Sequence, residues 1–352
     1  MGHAETRAFD AAEHAQVDAL LAEYGARLQQ ALSRRLAHSG ERPYLDALMA
    51  DYPRRGGKRL RPALCLAAAV ATGATLDDAL DAALAIELMH NALLVHDDIE
   101  DESDQRRGRP TLHALHGVPL ALNAGDALGL LSLQPLKDAG ARLGPVVGAR
   151  LFEETERMAW ATAEGQALEL GWQRDGRTDI DEADYLQMVL LKTCWLTTIH
   201  PLRVGCLIGT RGRMDLDPLI RVGFFVGAAF QIQDDWLNLA EAPAYGKERD
   251  GDLVEGKRTL ILAHALRHAG ARDRARLQRF LAAPRERRRR ADLPALRALL
   301  QRCGALDHAR RVAAALAGAG LAEFDRCFAG VPDSRERRFL RAMGSWVLQR
   351  AH

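Results

Sequence analysis

The stretch LDDALDAALAIELMHNALLVHDDIE, residues 76–100, decides the fold. Apolar residues recur through it at helical spacing, and β-branched residues are few, so it predicts one long α-helix that ends in a concentration of acids. The same Ala- and Leu-rich pattern recurs along the chain, whereas alternating runs typical of strands are almost absent, which predicts an all-α protein. The predicted helices are Glu13–Ser39, Arg61–Gly73, Leu76–Glu100, Leu120–Leu136, Leu151–Leu170, Ile180–Leu207, Leu219–Leu239 and Thr259–Arg267, followed by several shorter ones from Arg272 to Arg350.

Composition excludes several classes of protein. The chain has 352 residues, with 48 Lys and Arg against 47 Asp and Glu, so no general charge draws it to nucleic acid or an anionic membrane. The five cysteines lack metal-site or disulfide-framework spacing, which favours a reducing cytoplasm. No signal core and no run of roughly 20 apolar residues is evident, so we expect no membrane span. The basic run Arg287–Arg290 is interpreted as a solvated loop.

Acidic residues crowd the end of the long helix, in Glu87–Asp104. Asp97 and Asp101 stand at i and i+4, which places two carboxylates on one face about 6 Å apart. Oxygen ligands of this kind suit Mg²⁺ better than zinc. An acid-rich helix end in solvent is the simpler alternative, but acids at a helix C-terminus oppose the helix dipole, so some compensating partner is expected.

A second apolar helix leads into another acidic pair, Asp234-Asp235, with Asn238 one turn after Asp234. Two such clusters on opposing helices can hold metal ions that neutralise a diphosphate. An acidic pair satisfied by nearby lysines is the alternative interpretation.

Cations flank both acidic clusters. Arg55–Pro62 packs basic residues around two glycines, which lets the backbone approach phosphate oxygens closely, but it lacks the spacing of a nucleotide-binding P-loop. The further cations are Arg106, Arg107, Lys192, Lys247 and Lys257. Such a set fits a site that binds two anionic substrates together with metals.

These motifs, in this order, resemble the trans-isoprenyl diphosphate synthase family. The string from His96 to Thr111 resembles the family's first aspartate-rich region. The other matching segments are Gly57–Pro62, Asn123–Asp126, Glu164–Gln166, Lys192-Thr193, Phe230–Asp235 and Gly256–Thr259. The likeness covers about residues 20–265, the motif-bearing core, whereas the C-terminal helices of about 270–352 match only in being helical.

The resemblance implies one large helical bundle around a deep central cavity, a single domain over residues 1–352, and a homodimer. It also implies that Mg²⁺, with three ions per site, is held by Asp97, Asp101 and Asp234, with Asp98 and Asp235 orienting bound water or adding ligands. The residues implied for the allylic diphosphate are Arg106, Lys192, Thr193, Gln231, Lys247 and Lys257. Those implied for isopentenyl diphosphate are Lys58, Arg61, His90 and Arg107. Asn238 departs from the family's third aspartate.

The function implied is the joining of isopentenyl diphosphate to an allylic diphosphate. In this family the residues before the first aspartate line the pocket for the growing tail, here Ala92, Leu93, Met89 and Leu88. Because no aromatic residue stands there, we expect geranylgeranyl diphosphate as the product, with farnesyl or longer products of C25 and above as alternatives. A terpene cyclase and a non-catalytic partner subunit are the rival classes.

Overall fold

The computed structural model describes residues 11–37, 42–239 and 250–349, which are almost wholly helical. The first eight helices are α1 (Ala11–Arg35), α2 (Asp46–Arg54), α3 (Leu60–Ala71), α4 (Leu76–Glu100), α5 (Leu112–His116), α6 (Val118–Leu143), α7 (Pro145–Arg174) and α8 (Glu182–Val189). After a π-helical segment at Leu190–Ile199, the rest are α9 (His200–Gly209), α10 (Pro218–Leu239), α11 (Gly251–Glu255), α12 (Leu260–His268), α13 (Ala271–Ala282), α14 (Leu293–Arg302), α15 (Ala305–Cys327) and α16 (Arg335–Gln349). The prediction of an all-α fold is confirmed.

Helix α4 is the central helix and has the predicted bounds. It begins with a capping box, in which the Thr75 hydroxyl accepts from the Asp78 backbone N–H at 3.3 Å and the Asp78 carboxylate accepts from the Thr75 N–H at 3.1 Å. It packs on both α6 and α3. Within the described part of the chain, α4 alone is long and apolar enough to cross a membrane by length and composition, and most of its apolar window is buried in the bundle. A helix that is apolar on most sides is typical of such a core position.

Three local structures differ from the prediction. Helix α2 lies outside the predicted helices, and it continues through Pro53. A short hairpin, β1 (Gln105–Arg106) with β2 (Arg109–Pro110), follows α4. Its two turn residues, Arg107 and Gly108, both have positive φ, 55° and 71°, as a tight hairpin turn demands. The helix predicted over Ile180–Leu207 is instead α8, the π-helical segment and α9.

The C-terminal helices pack into the bundle. Helix α15 packs on α10, and α16 packs on α1, α3 and α10. Two apolar core clusters, one around α3, α4 and α6 and one around α8, α12 and α14, meet at Leu316 and Leu348. The assignment of residues 1–352 to a single domain stays a prediction.

The interpretation of Arg287–Arg290 as a solvated loop is wrong for one residue. Arg287, Arg289 and Arg290 are exposed, but Arg288 is buried. Its guanidinium donates to the carbonyl of Ala283 at 3.0 Å and to that of Val254 at 2.9 Å. Arg288 therefore ties this loop to the end of α11.

Candidate active site

A cavity of about 750 Å³ lies among α3, α4, α7, α8, the π-helical segment and α10. Fourteen of the predicted site residues line it: Lys58, Arg61, Met89, His90, Leu93, Asp97, Arg106, Arg107, Lys192, Thr193, Gln231, Asp234, Asp235 and Lys257. Asp98, Asp101, Leu88 and Ala92 are not in its lining, and Lys247 lies outside the described residues. The two acidic clusters therefore face one space, as the sequence predicted.

Asp97 and Asp101 stand in a field of positive charge. Asp97 lies 3.3 Å from Lys192 Nζ and 3.4 Å from Arg106 Nη2, and Asp101 lies 2.8 Å from Lys257 Nζ. Burial raises the pKa of Asp101 to about 7, although Lys257 lowers it. These cations supply the compensation that acids at the C-terminus of α4 require.

Asp98 is turned away from the cavity and is fully buried. Its carboxylate accepts from the Tyr52 hydroxyl at 2.5 Å and from Arg106 Nε at 2.8 Å. The Arg106 guanidinium is thereby held beside Asp97. In this geometry Asp98 positions Arg106, and its predicted role as a metal ligand or water-orienting group stays a prediction.

The second acidic pair is held by a chain of hydrogen bonds. Asp235 accepts from the Tyr185 hydroxyl and from Gln231 Nε2, both at 2.7 Å, and Gln231 Oε1 accepts from Thr193 at 3.0 Å. Burial, with repulsion from Asp252, raises the pKa of Asp235 to about 8.

Asn238 has a structural contact. Its side-chain oxygen accepts from the Asp252 backbone N–H at 3.2 Å, and its own carbonyl accepts from the Asp250 N–H at 3.2 Å. The amide at the family's third aspartate position therefore joins α10 to the start of α11.

Glu169 is a site residue that the sequence reasoning missed. It is buried in contact with Lys192 Nζ and also lines the cavity. Burial lowers the pKa of Lys192, but Glu169 and Asp97 raise it beyond its ordinary value, so the lysine is charged. Gly165, one turn before Glu169, permits this contact, because a Cβ there would lie 2.2 Å from the Lys192 backbone nitrogen.

The predicted isopentenyl diphosphate residues form a second basic group. His90 Nε2 lies 3.2 Å from Arg61 Nη1, and Arg61 Nη2 donates to the Thr197 hydroxyl at 2.8 Å. Burial, with Arg61 and Arg107, lowers the pKa of His90 well below its ordinary value, so the ring is neutral and accepts from Arg61. Lys58 stands over the Trp346 ring, 5.1 Å from its centre.

Arg107 reaches the same group because of a glycine. A Cβ on Gly57 would lie 2.8 Å from Arg107 Nη2, so the guanidinium occupies the space that a side chain would take. Its Nη1 donates to the Tyr52 carbonyl at 3.2 Å. Gly57 thus makes room for the Arg107 side chain.

Arg285 is a second missed residue. It donates to the carbonyls of Asp101 and, at 3.1 Å, Glu102, which end α4. A cation there stabilises a helix C-terminus. The C-terminal part of the chain therefore supports the first acidic cluster.

Two of the four residues predicted for the tail pocket line the cavity, and the other two do not. Leu93 lines the cavity about one turn before Asp97, and Met89 lines it about two turns before. Leu88 and Ala92 are buried outside its lining, and the Ala92 methyl lies 3.9 Å from where a Cβ on Gly129 of α6 would stand. Positions one residue apart on a helix point about 100° apart, so Ala92 faces α6 while Leu93 faces the cavity.

The residues present fit a hard divalent cation. Asp97, Asp234, Asp235 and Asp252 line the cavity, and Asp101 Oδ1 is buried with no hydrogen-bond partner among the described residues. Orphaned buried oxygens are costly unless a further group satisfies them. All of these donors are carboxylate oxygens, which Mg²⁺ prefers.

An all-α bundle in which two aspartate clusters face one cavity between basic groups defines the isoprenoid synthase class of fold. The model of the polyprenyl synthetase family matches residues 42–299, and the chain belongs to that family. It is a prenyltransferase, a polyprenyl diphosphate synthase.

Three relatives show the range of the family. The chain is 33% identical to the short chain isoprenyl diphosphate synthase of Methanothermobacter thermautotrophicus, over 73% of this chain and 77% of that one. It is 31% identical to the geranylfarnesyl diphosphate synthase of Natronomonas pharaonis, over 96% and 98%. A crystal structure of geranylgeranyl pyrophosphate synthase from Corynebacterium glutamicum, complexed with isoprenyl diphosphate and magnesium, superposes with a TM-score of 0.83 at 26% identity, covering 94% and 99%.

Proposed function

We propose that this chain condenses isopentenyl diphosphate head-to-tail with an allylic diphosphate and makes a linear all-trans polyprenyl diphosphate, geranylgeranyl diphosphate. One observation carries the proposal: Asp97 and Asp234 line the same cavity. Two separate basic groups, one with Lys192 and one with Arg61, line it as well. One diphosphate with metals occupies the acidic side, and a second diphosphate occupies the group around Arg61 and His90.

Asp97, Asp101 and Asp234 are the proposed ligands for Mg²⁺, with three ions per site. When bound, Mg²⁺ stabilises negative charge that develops on a departing diphosphate. Asp101 is the residue whose geometry supports this most directly, because its carboxylate has an unsatisfied buried oxygen.

Lys192, Lys257, Thr193, Gln231 and Arg106 are proposed to hold the allylic diphosphate, and Lys247 remains a prediction outside the described residues. Lys192 bridges Asp97 and Glu169 of the cavity wall, and Lys257 bridges Asp101 and Glu255 behind it, so both ammonium groups are fixed before substrate arrives. Preorganised charge of this kind stabilises a leaving group without reorganisation cost.

Lys58, Arg61, His90 and Arg107 are proposed to hold isopentenyl diphosphate. The allylic C–O bond breaks, the isopentenyl double bond attacks the resulting cation, and a proton is lost to the released diphosphate. Charge placement and positioning therefore carry the catalysis.

The proposed product rests on the apolar side of the cavity. Leu93 and Met89 stand beyond Asp97 without an aromatic ring, so a fifteen-carbon tail finds room to grow by one further unit. The names of the relatives, from short chain to geranylfarnesyl, leave the length to be measured. Mass spectrometry of products formed from dimethylallyl, geranyl and farnesyl diphosphates should show C20 with all three primers, whereas a main product of C15 or C25 would contradict the length assignment.

Replacing Leu93 with Phe should shorten the main product toward farnesyl diphosphate, because the ring fills space that the tail needs. Ala92→Phe is the matched control, one residue away. It should overpack the contact with α6, cost about 1–3 kcal/mol of folding free energy, and leave the product length unchanged. Product analysis and thermal melts measure both effects. A shortened product from Ala92→Phe together with an unchanged one from Leu93→Phe would show that the helix face is assigned wrongly.

A homodimer in the cytoplasm is part of the proposal. Large apolar side chains are exposed on α6 and α7, among them Trp160 and Val146, each 72% exposed, and Leu130, 69% exposed. An apolar face of this extent is typical of a protein interface. We assign it to a second copy of the chain.

A further inference from the structure

Three helices outside the cavity bring two histidines and a glutamate together. Glu182 lies in the first turn of α8, His264 in α12 and His308 in α15. His308 Nε2 lies 2.9 Å from Glu182 Oε1, and His264 Nδ1 lies 3.8 Å from the same oxygen. One ligand atom from each residue falls within 4.8 Å of the other two. None of the three side chains lines the active-site cavity.

The spacing fits a transition-metal ion. Zinc bonds of about 2.0–2.1 Å at tetrahedral angles place ligand atoms about 3.3 Å apart. The distances from Glu182 Oε1 to His308 Nε2 and to His264 Nδ1, 2.9 Å and 3.8 Å, lie on either side of that value. The two histidine rings stack with their centres 4.1 Å apart, so a rotation of one ring brings both nitrogens to the same ion. Two imidazoles and one carboxylate are a ligand set that suits Zn²⁺ and its neighbours, and they suit Mg²⁺ poorly.

Two of the histidine ring nitrogens lack a hydrogen-bond partner among the described residues. His264 Nδ1 and His308 Nε2 are buried and make no hydrogen bond with the described residues, despite lying this close to a carboxylate.

We propose that Glu182, His264 and His308 bind one divalent transition-metal ion of the Zn²⁺ class, separate from the magnesium site. All three side chains are partly exposed, so solvent completes the coordination. The ion joins α8 to α12 and α15. Because Tyr185, one turn after Glu182, holds Asp235 by a 2.7 Å hydrogen bond, the same ion fixes the helix that supports the second acidic pair.

The test uses the full chain, stripped with a chelator and titrated calorimetrically with Zn²⁺ in excess Mg²⁺, which occupies the all-oxygen site. The wild type should bind one equivalent with micromolar or tighter affinity and gain several degrees in melting temperature. His264→Ala and His308→Ala should each weaken the affinity at least about tenfold.

His268→Ala is the matched control. The His268 ring stacks on His264 at 4.3 Å but offers no atom to the three-residue group. Its removal should leave the affinity within about threefold, since a ligand loss is expected to cost tenfold or more. Absence of Zn²⁺ binding by the wild type, or equal weakening in all three variants, would overturn the proposal.

Folding is checked separately. If an alanine variant loses its helical circular dichroism, Glu182→Gln keeps the shape of the side chain and should still weaken Zn²⁺ binding. The Co²⁺-loaded wild type should also show visible absorption bands of a nitrogen-containing tetrahedral site. A spectrum indistinguishable from hydrated Co²⁺ would count against the site even with every variant folded.

Discussion

Asp97→Ala is expected to lower kcat by about 100-fold to 1,000-fold or more, the range seen when one preorganised charge-stabilising group is removed. Asp97 lies between Lys192 and Arg106, facing Asp234 across the cavity. Its loss removes a proposed metal ligand and leaves two cations without their common partner. Asp234→Ala is expected to have an effect of the same order. Steady-state turnover of isopentenyl diphosphate measures both.

Asp104→Ala is the control for this prediction. Asp104 belongs to the same acidic stretch, but its side chain is exposed and outside the cavity lining. It should keep near wild-type turnover, and circular dichroism should show an intact helical fold in all three variants. Wild-type turnover in Asp97→Ala or Asp234→Ala would contradict the metal assignment.

Lys58→Ala should raise the Michaelis constant for isopentenyl diphosphate by about tenfold to a hundredfold, since a hydrogen bond to a charged group contributes about 1.5–3 kcal/mol. The constant for the allylic substrate should change little. Lys192→Ala should do the reverse, with a fall in kcat as well, because Lys192 stands among the acids on the other side of the cavity. The two variants are expected to affect different substrates because the two basic groups lie apart in the cavity.

Arg54→Ala is a suitable control for lost positive charge. Arg54 is exposed at the end of α2, close in sequence to Lys58 but outside the cavity lining. Both Michaelis constants should stay near wild type in that variant. If Lys58→Ala and Lys192→Ala shift both constants equally, the two diphosphate sites are divided wrongly.

The sequence predicted α4 to the residue because its signals are local. The Thr75 and Asp78 capping pair marks its beginning, and its apolar spacing continues to the acids at its end. The π-helical segment was not predicted, since its residues, Leu190–Ile199, are equally compatible with an ordinary α-helix. It carries Lys192, and π-helical turns often occur at functional sites.

The residues that line the cavity were largely predictable, because their types and spacing carry the chemistry. The residues that hold these acids in position were not predictable. Tyr52, Tyr185 and Arg285 lie far in sequence from the acids that they contact, at separations of 46, 50 and 184 residues. Each is an ordinary residue in its own stretch, so only the folded chain shows its partner. The sequence placed Ala92 in the tail pocket, but Ala92 does not line the cavity. The number of residues between Ala92 and Asp97 does not determine which neighbouring helix Ala92 faces.

We propose metal-dependent prenyl transfer in the cavity between the two acidic clusters. Its most direct test is to incubate the purified, chelator-treated protein with isopentenyl and geranyl diphosphates and to follow isopentenyl incorporation by mass spectrometry, with and without added Mg²⁺. We predict no product without the metal and a linear polyprenyl diphosphate once Mg²⁺ is restored. A cyclised hydrocarbon, undiminished turnover in chelator, or no turnover in any combination of substrates and metal would contradict the claim.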